Sequence, residues 1–247
     1  MLVYQPKIHL QSGVVSGVEA LAHWWNQDRG VLEPSTFIPL AEEEGLIDSL
    51  TNEIYKRAIM QVADWNRQNQ VLSTAINFSI NSFSSYEFCE FIVDTTRKYG
   101  VNPSQILLEV KESQTAALPL NCTEALMKMG LKRFGLCIDD FGTGNSSLAQ
   151  LRNIPFTEMK IDGASVHGAV TDPSARAILE ASIGLARKLE IDIVAEGVET
   201  IKEWDLVKSL GCDYAQGFYS AHPMRSEELP EYIENWTQTN SEQSATH

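Results

Sequence analysis

The sequence has no long hydrophobic run and no excess of positive charge. No apolar stretch approaches the roughly 20 residues that a membrane-spanning helix requires, and we identify no signal peptide. We therefore expect no membrane segment in this chain. Its 33 acidic residues outnumber its 19 Lys and Arg, which gives a formal net charge of −14. Polymeric nucleic acid requires a basic surface, so we expect no such partner, although a small anionic ligand is compatible with this composition.

Cysteine and histidine are also scarce, and neither is spaced as a metal or redox motif. The four cysteines, Cys89, Cys122, Cys137 and Cys212, form no CxxC pair, so we predict free thiols and a cytoplasmic location. The five histidines show no HExxH or similar spacing, which argues against a zinc site. The glycines are too few and wrongly spaced for a P-loop or a Rossmann fingerprint.

The apolar residues instead follow alternating strand and helix patterns. An opening hairpin is predicted to turn at residues 11–13, where Gln-Ser-Gly separates two strand-like runs. Further strands are predicted near residues 72–78, 105–110, 134–138, 156–161, 191–195 and 212–216. Helices are predicted over residues 34–44, 47–68, 82–99, 114–130, 146–153, 173–189, 199–210 and 226–237. Such alternation indicates a parallel sheet with right-handed crossovers.

The number of strands favours a closed barrel. About eight strands in 247 residues fit a (β/α)8 barrel better than an open sheet, and the opening hairpin implies one irregular strand. No Gly/Ser linker or change of composition divides the chain. We therefore predict one domain over residues 1–236, followed by a flexible, polar C-terminal tail at 237–247.

Five of the apolar runs end on a carboxylate or an amide. These residues are Glu19, Asn77, Glu109, the pair Asp139 and Asp140, and Glu196. One acid at the end of a buried strand would carry little information, but five suggest a ring of oxygen ligands at one end of a parallel sheet, where α/β folds build their active sites. Mg²⁺ and similar hard cations take such ligands. The pattern predicts a metal-dependent enzyme.

The densest of these positions is Asp139–Asp140, which a loop containing Gly142 and Gly144 follows. Adjacent carboxylates at a strand end can diverge, so that one bridges two cations while the other binds one. The glycines permit the sharp loop that must follow. An Asp-rich turn with a serine helix cap is the alternative. The other strand-end acids favour metal ligation.

Two further polar residues lie near predicted strand ends. A lysine at position 160, pointing into a ring of carboxylates, can orient a nucleophilic water or accept its proton. A solvated surface lysine is the alternative interpretation of Lys160. Gln216 closes the last predicted strand, and its amide could hold the same water.

These motifs together resemble the EAL domains, which are cyclic di-GMP phosphodiesterases. The resemblance covers essentially the whole chain, in the family's order. The matching motifs are Tyr4-Gln5-Pro6, Glu19-Ala20-Leu21, Phe37-Ile38-Pro39-Leu40-Ala41-Glu42, Ile76-Asn77-Phe78-Ser79, Asp139-Asp140-Phe141-Gly142-Thr143-Gly144, Lys160-Ile161-Asp162, Ala195-Glu196-Gly197-Val198-Glu199-Thr200 and Gln216-Gly217-Phe218. The family resemblance implies a modified TIM barrel with an antiparallel first strand. It also implies hydrolysis of cyclic di-GMP to linear 5′-pGpG with two Mg²⁺ or Mn²⁺ ions, and inhibition by Ca²⁺.

The resemblance also assigns a role to each motif residue. By analogy the first cation is held by Glu19, Asn77, Glu109 and Asp139, and the second by Asp139, Asp140 and Glu196. The catalytic group comprises Lys160, Gln216 and Glu196, of which Lys160 and Gln216 would position the attacking water. Glu112 would anchor the loop after Asp140. The residues implied to lie near substrate are Gln5, Leu21, His23, Asp162 and Glu199.

Some positions differ from the family pattern. His23 replaces the usual arginine, which offers a permanently charged fork to a substrate phosphate. Lys111 replaces the usual threonine, Asn145 the usual tyrosine and Thr157 a common aspartate. A catalytically weak or inactive domain that acts as a cyclic di-GMP receptor is therefore the alternative. A module that binds only a protein partner is a third interpretation.

The resemblance extends to the surroundings of the domain. We expect a homodimer, and an upstream receiver or other sensory domain of a response regulator, because the chain opens directly on a strand and the stretch at residues 160–166 is similar to that of such regulators.

Overall fold

The computed structural model describes residues 1–115, 118–142 and 148–244. Eight of its strands form a closed barrel in the order β1-β10-β9-β8-β7-β6-β5-β2, and β3 and β4 form a separate hairpin. The strands are β1 (Leu2–His9), β2 (Val15–Ala22), β3 (Trp24–Asn26), β4 (Gly30–Leu32), β5 (Ser73–Asn77), β6 (Ile106–Lys111), β7 (Gly135–Phe141), β8 (Glu158–Ile161), β9 (Asp192–Ala195) and β10 (Tyr214–Ala215).

The first strand runs against the direction of the others. Strand β1 pairs antiparallel with both β2 and β10, whereas the other neighbouring strands of the barrel are parallel. The predicted (β/α)8 barrel with an antiparallel first strand is confirmed. The register of β1 and β2 pairs Gln5 with Glu19, so the early part of β1 lies at the end of the barrel where the parallel strands finish.

Helices surround this barrel. Within the described residues they are α1 (Pro34–Glu43), α2 (Ile47–Arg67), α3 (Tyr86–Lys98), α4 (Glu112–Thr115), α5 (Leu120–Leu131), α6 (Leu148–Asn153), α7 (Gly163–Ala169), α8 (Pro173–Lys188), α9 (Ile201–Leu210) and α10 (Leu229–Ser244). The long helix predicted over residues 47–68 is confirmed as α2, whose Ala58, Val62 and Trp65 are buried in the core.

Several predicted boundaries are wrong, for local reasons. The helix predicted from residue 82 begins at Tyr86, because Ser85 caps it by accepting a hydrogen bond from the backbone N–H of Phe88. The helix predicted over 114–130 is two helices, α4 and α5, and Pro119 precedes the second.

Two elements were not predicted, and one extends further than expected. The β3–β4 hairpin and α7 are too short to show an apolar period, and Asp162 caps α7 by accepting from Ala164 N at 3.0 Å. The last helix runs to Ser244, beyond the expected end of the domain at residue 236. The division into a domain and a flexible tail stays a prediction.

Other expectations concern thiols and membranes. All four cysteines are free, as predicted, and Cys122, Cys137 and Cys212 are buried. Among the described helices, none combines the length and hydropathy that crossing a bilayer would require.

The interior of the barrel carries an ion pair at the end opposite to the strand C-termini. Lys7 of β1 contacts Glu158, the first residue of β8, and both side chains are buried. The Lys7 ammonium also lies 4.9 Å from the centroid of the Tyr214 ring. This pair is separate from the polar cluster at the other end of the barrel.

Candidate active site

The strand ends bring the predicted polar residues together. In the sheet register, Asn77 lies opposite Glu109 and Lys111 lies opposite Asp139, which aligns the ends of β5, β6 and β7. Parallel strands present their C-terminal ends on one side, so these side chains share one end of the barrel with Glu19 and Glu196.

Lys160 is the centre of this cluster. Its Nζ lies 2.7 Å from Glu19 Oε2, 2.9 Å from Glu109 Oε1 and 3.0 Å from Glu196 Oε1. The side chain is 1% exposed, so the alternative of a solvated surface lysine is wrong. One ammonium therefore faces three carboxylates from three different strand ends.

Two side-chain amides complete the surroundings of Glu19. Asn77 Nδ2 donates to Glu19 Oε1 at 2.7 Å, and Gln216 Nε2 donates to Glu19 Oε2 at 2.8 Å. The same Gln216 nitrogen lies 3.2 Å from Gln5 Oε1. These contacts fix the Glu19 carboxylate in one orientation.

The pKa values of the clustered carboxylates shift in opposite directions. Burial alone would raise the pKa of Glu19, but the Lys160 ammonium, with hydrogen bonds from Gln216 and Asn77, holds it below its usual value. Burial raises the pKa of Glu109 well above its usual value, and nearby Glu19 and Asp139 add to this against the opposing effect of Lys160.

Burial and neighbouring charges also shift the pKa values of Glu196, Asp139 and Lys160. Burial raises the pKa of Glu196 to about 8 despite Lys160, with contributions from Asp139 and Glu19. Burial is also the main reason that the pKa of Asp139 is raised. Burial would lower the pKa of Lys160, but the surrounding carboxylates raise it well above its usual value. In this metal-free site Lys160 is therefore protonated and faces the three carboxylates as an ammonium.

A second group of carboxylates lies beside Lys160. One oxygen from each of Asp139, Asp140 and Glu196 lies within 4.8 Å of the others. The pairing of β7 with β8 shifts register between Ile138 and Phe141, and Asp140 has a left-handed φ of 58°. An irregularity at this point allows two consecutive carboxylates to serve one site, and such backbone strain is typical of functional positions.

The donor set fits hard divalent cations. Glu109 is fully buried, and among the described residues its Oε2 has no hydrogen-bond partner, while Oε1 meets Lys160. A buried carboxylate oxygen without a partner is costly unless a cation binds it. The other donors are carboxylate and amide oxygens, the ligands that Mg²⁺ and Mn²⁺ prefer.

A second acidic group in the barrel does not fit a metal as well. Ligand atoms of Glu109, Cys137 and Glu158 also lie within 4.8 Å of one another. However, burial raises the pKa of the Cys137 thiol well above its usual value, and Lys7 already compensates Glu158. A protonated thiol is a poor ligand.

Glu112 holds the start of the loop after β7. Its Oε2 accepts from the backbone N–H of Gly142 at 2.9 Å. This contact is the one expected of the predicted loop anchor, and that role stays a prediction. Residues 143–147, including Gly144 and Asn145, lie outside the described residues.

The residues predicted to contact substrate are distributed over different surfaces. Gln5 and Glu199 line a cavity of about 210 Å³ together with Glu19, Glu196 and Gln216. Leu21 lines a groove of about 470 Å³ that also contains Asn77, Asp139 and Lys111. Both lead directly to the carboxylate cluster.

The other two predicted substrate residues lie differently. His23 lines a neighbouring, mainly apolar groove of about 730 Å³ with Met1, Trp24 and Phe37, and it is not among the residues that line the other two. The Asp162 carboxylate caps α7. Their contact with substrate stays a prediction.

Sequence reasoning missed a network that holds the loop after β9. Glu203 Oε2 accepts from the backbone N–H groups of Glu199 and Thr200, each at 2.8 Å. Its Oε1 lies 2.6 Å from Nδ1 of His167 on α7. The Thr-x-x-Glu spacing of Thr200 and Glu203 is a capping-box signal that could have identified it. The network fixes the segment that links Glu196 to Glu199.

A closed barrel of eight strands in which one strand runs antiparallel to its neighbours is a modified TIM barrel. In this barrel the carboxylates lie at the strand ends. The chain belongs to the EAL domain family, whose model matches residues 1–223.

Named relatives agree with this assignment. The chain is 37% identical over 235 residues to cyclic di-GMP phosphodiesterase PA2567 of Pseudomonas aeruginosa, covering 95% of this chain and 39% of that protein. It is 31% identical over 229 residues to cyclic di-GMP phosphodiesterase RocR of the same organism, covering 93% of this chain and 58% of that protein. The chain thus corresponds to only part of each relative.

A solved structure matches over nearly its full length. The PaMucR phosphodiesterase in complex with c-di-GMP superposes with a TM-score of 0.89 at 34% identity, covering 93% of each chain.

Proposed function

We propose that this EAL domain is a metal-dependent phosphodiesterase that hydrolyses cyclic di-GMP to linear 5′-pGpG. The observation that carries the proposal is the cluster around Lys160, where Glu19, Glu109 and Glu196 converge from separate strands. PA2567 and RocR, which are cyclic di-GMP phosphodiesterases, and the c-di-GMP complex of PaMucR support the choice of substrate.

Two Mg²⁺ or Mn²⁺ ions would be held by the six ligand-type residues. Glu19, Asn77, Glu109 and Asp139 would hold one, and Asp139, Asp140 and Glu196 the other. When bound, such ions supply Lewis acidity, lower the pKa of a bound water and neutralise charge on phosphoryl oxygens.

The protein's own groups supply orientation and proton control. The Lys160 ammonium and the Gln216 amide both donate toward Glu19 in the described structure, and the same donors can hold the attacking water at that point. A protonated Lys160 would orient the water and stabilise negative charge on the phosphoryl group. In the metal-free site the pKa of Glu196 is about 8, so its carboxyl carries a proton near neutral pH that a bound cation would displace.

The substrate has room on both sides of the cluster. The 210 Å³ cavity and the 470 Å³ groove share Glu19, so a cyclic dinucleotide can place one phosphate near Glu19 and extend along Leu21. Water attacks that phosphorus, the bond to the 3′ oxygen breaks, and the 3′ oxygen takes up a proton. The second phosphodiester bond stays intact, which gives pGpG.

The experiment is chromatography of cyclic di-GMP incubated with the protein and Mg²⁺, Mn²⁺ or Ca²⁺. We expect pGpG with Mg²⁺ or Mn²⁺. Ca²⁺ should inhibit because its larger radius and looser coordination misplace the water. Absence of product at micromolar enzyme with both Mg²⁺ and Mn²⁺ would contradict the proposal.

A receptor for cyclic di-GMP is the second candidate function. It is favoured by His23, which replaces the family's arginine and lies in a neighbouring groove. Binding of cyclic di-GMP without cleavage would support it, and a chain that neither binds nor cleaves the nucleotide would be a partner-binding module. A homodimer, a cytoplasmic location and an upstream receiver or other sensory domain remain predictions.

A further inference from the structure

Among the described residues, Lys111 is a cation beside this site that the family resemblance does not account for. It is the last residue of β6, two positions after Glu109, and it pairs in register with Asp139. Its side chain is 54% exposed, and it lines the groove that contains Glu19, Asn77 and Asp139. It therefore lies on the open side of the carboxylate cluster, whereas Lys160 lies on the buried side.

The ammonium of Lys111 contacts a predicted metal ligand. Its Nζ donates to Asp140 Oδ2 at 2.8 Å. Asp140 belongs to the group of three carboxylates, with Asp139 and Glu196, whose oxygens lie within 4.8 Å of one another. In the described structure a positive charge is thus already paired with the group that would receive the second cation.

We propose that Lys111 competes with a divalent cation for Asp140, so that this chain binds its second metal ion more weakly than a chain with a neutral residue there. The proposal rests on the proposed function, because it concerns the same site. It makes Lys111 an internal counter-ion that must be displaced before both cations are bound.

The physical reason is the repulsion between like charges. An ammonium within hydrogen-bond reach of Asp140 would lie a few ångströms from a dication bound by the same carboxylate. Even at the dielectric constant of water, repulsion between the Lys111 ammonium and a dication at such a distance weakens metal binding by roughly tenfold. Salt screens this repulsion only in part. The long side chain can move away, at the cost of its ion pair.

The simpler view treats Lys111–Asp140 as an exposed ion pair that contributes almost nothing. Even if the ion pair contributes little to stability, the positive charge of Lys111 remains in the groove. It predicts that replacing Lys111 leaves metal affinity unchanged, which makes the two interpretations separable by a binding measurement.

The experiment is calorimetric titration of the metal-free protein with Mn²⁺, without nucleotide. Wild type is compared with Lys111→Thr, which removes the charge, and Lys111→Arg, which keeps it. Lys188→Thr is the matched control, because it removes the same charge from the exposed end of α8, at the N-terminal side of β9. The number of bound Mn²⁺ ions is counted independently by electron paramagnetic resonance.

We expect Lys111→Thr to tighten the weaker Mn²⁺ site by roughly tenfold, with Lys111→Arg and Lys188→Thr within about twofold of wild type. An unchanged Lys111→Thr isotherm, or equal tightening in Lys188→Thr, would overturn the inference. Because no hydrolysis is measured, tightening supports the inference even if cyclic di-GMP is not cleaved. If neither wild type nor Lys111→Thr binds Mn²⁺, the inference and the metal dependence both fail.

Discussion

Glu109 Oε1 lies 2.9 Å from the Lys160 ammonium inside the barrel, while Glu109 Oε2 has no hydrogen-bond partner among the described residues. One lysine charge therefore compensates a carboxylate that is only partly satisfied, and it also faces Glu19 and Glu196. We therefore expect Lys160 to stabilise this end of the barrel when no metal ion is bound.

Replacement of Lys160 by methionine should destabilise the metal-free protein. Removing one partner from a buried ion pair leaves uncompensated charge and costs about 3 kcal/mol in the free energy of unfolding. Mn²⁺ should recover much of this loss, since it supplies positive charge to the same carboxylates. Urea unfolding with and without Mn²⁺ measures both effects.

Lys7→Met is the matched control for that experiment. Lys7 is also a buried lysine paired with a glutamate, Glu158, but it lies at the other end of the barrel. It should destabilise the protein, and Mn²⁺ should raise its free energy of unfolding only as much as it raises that of wild type, whereas Lys160→Met should gain more than wild type. Equal recovery in both variants would contradict the assignment of Lys160 to a metal site.

Lys160→Ala should lower the rate of cyclic di-GMP hydrolysis by roughly 100-fold or more, as expected for a group that orients water. At least one metal ion should still bind, because the carboxylates are unchanged. Turnover and Mn²⁺ binding are measured on the same preparation. Turnover close to wild type would show that Lys160 has no role in the reaction.

Metal binding should release protons near neutral pH. Glu196 has a pKa of about 8 in the metal-free site, so at pH 7 it is mainly protonated, and a cation must displace that proton. Affinity should therefore fall as pH is lowered below about 8, and proton release should decrease above it. Calorimetry in two buffers of different ionisation enthalpy counts the protons, and identical heats at pH 7 would contradict this prediction.

Glu203→Gln should make the protein less stable in a pH-dependent way. Burial alone would raise the pKa of Glu203, but hydrogen bonds from His167 and from the backbone of Glu199 and Thr200 hold it below its usual value. A lowered folded-state pKa gives stability that is present above the unfolded pKa of about 4.3 and is lost as pH falls through the folded value.

The free energy of unfolding, measured by thermal unfolding, should thus differ most between wild type and Glu203→Gln at pH 6 to 8, by about 1 kcal/mol, and the difference should shrink in acid. Glu234→Gln, at an exposed position of α10, is the control and should change little. A difference independent of pH would mean that the carboxylate charge is unimportant.

His23→Arg tests whether this position reaches the substrate. If it does, restoring a charge-assisted hydrogen bond to phosphate should tighten cyclic di-GMP binding by about ten- to a hundredfold. The titration uses Ca²⁺ to block turnover. Unchanged affinity would instead assign His23 to packing in the groove that Trp24 and Phe37 line.

The sequence predicted the barrel and the cluster because both follow from local patterns. Acids such as Glu109 and Glu196 lie where apolar runs end. Because the strands are parallel, their C-terminal ends lie on the same side of the barrel, and so do these acids. The contact of Lys111 with Asp140 could not be predicted in this way. It depends on the register of β6 against β7 and on the left-handed backbone at Asp140.

The missed elements have a different cause. Helix α7 spans only Gly163–Ala169, and β3 and β4 have three residues each, so none is long enough to show a period. The position of His23 follows from the path of the chain around the β3–β4 hairpin, which no local pattern specifies. The Thr-x-x-Glu spacing predicts the capping box of Glu203, but no local pattern predicts its contact with His167.

The reversed first strand also determines when the site can exist during folding. Gln5 and Gln216 lie in contact although 211 positions separate them in the sequence. Closing so long a loop carries an entropic cost that is recovered only when β1 joins β10. A nascent chain that has emerged only as far as Asp139 carries several ligand carboxylates but neither Lys160 nor Gln216. The enclosed centre therefore forms only after most of the domain has been synthesised.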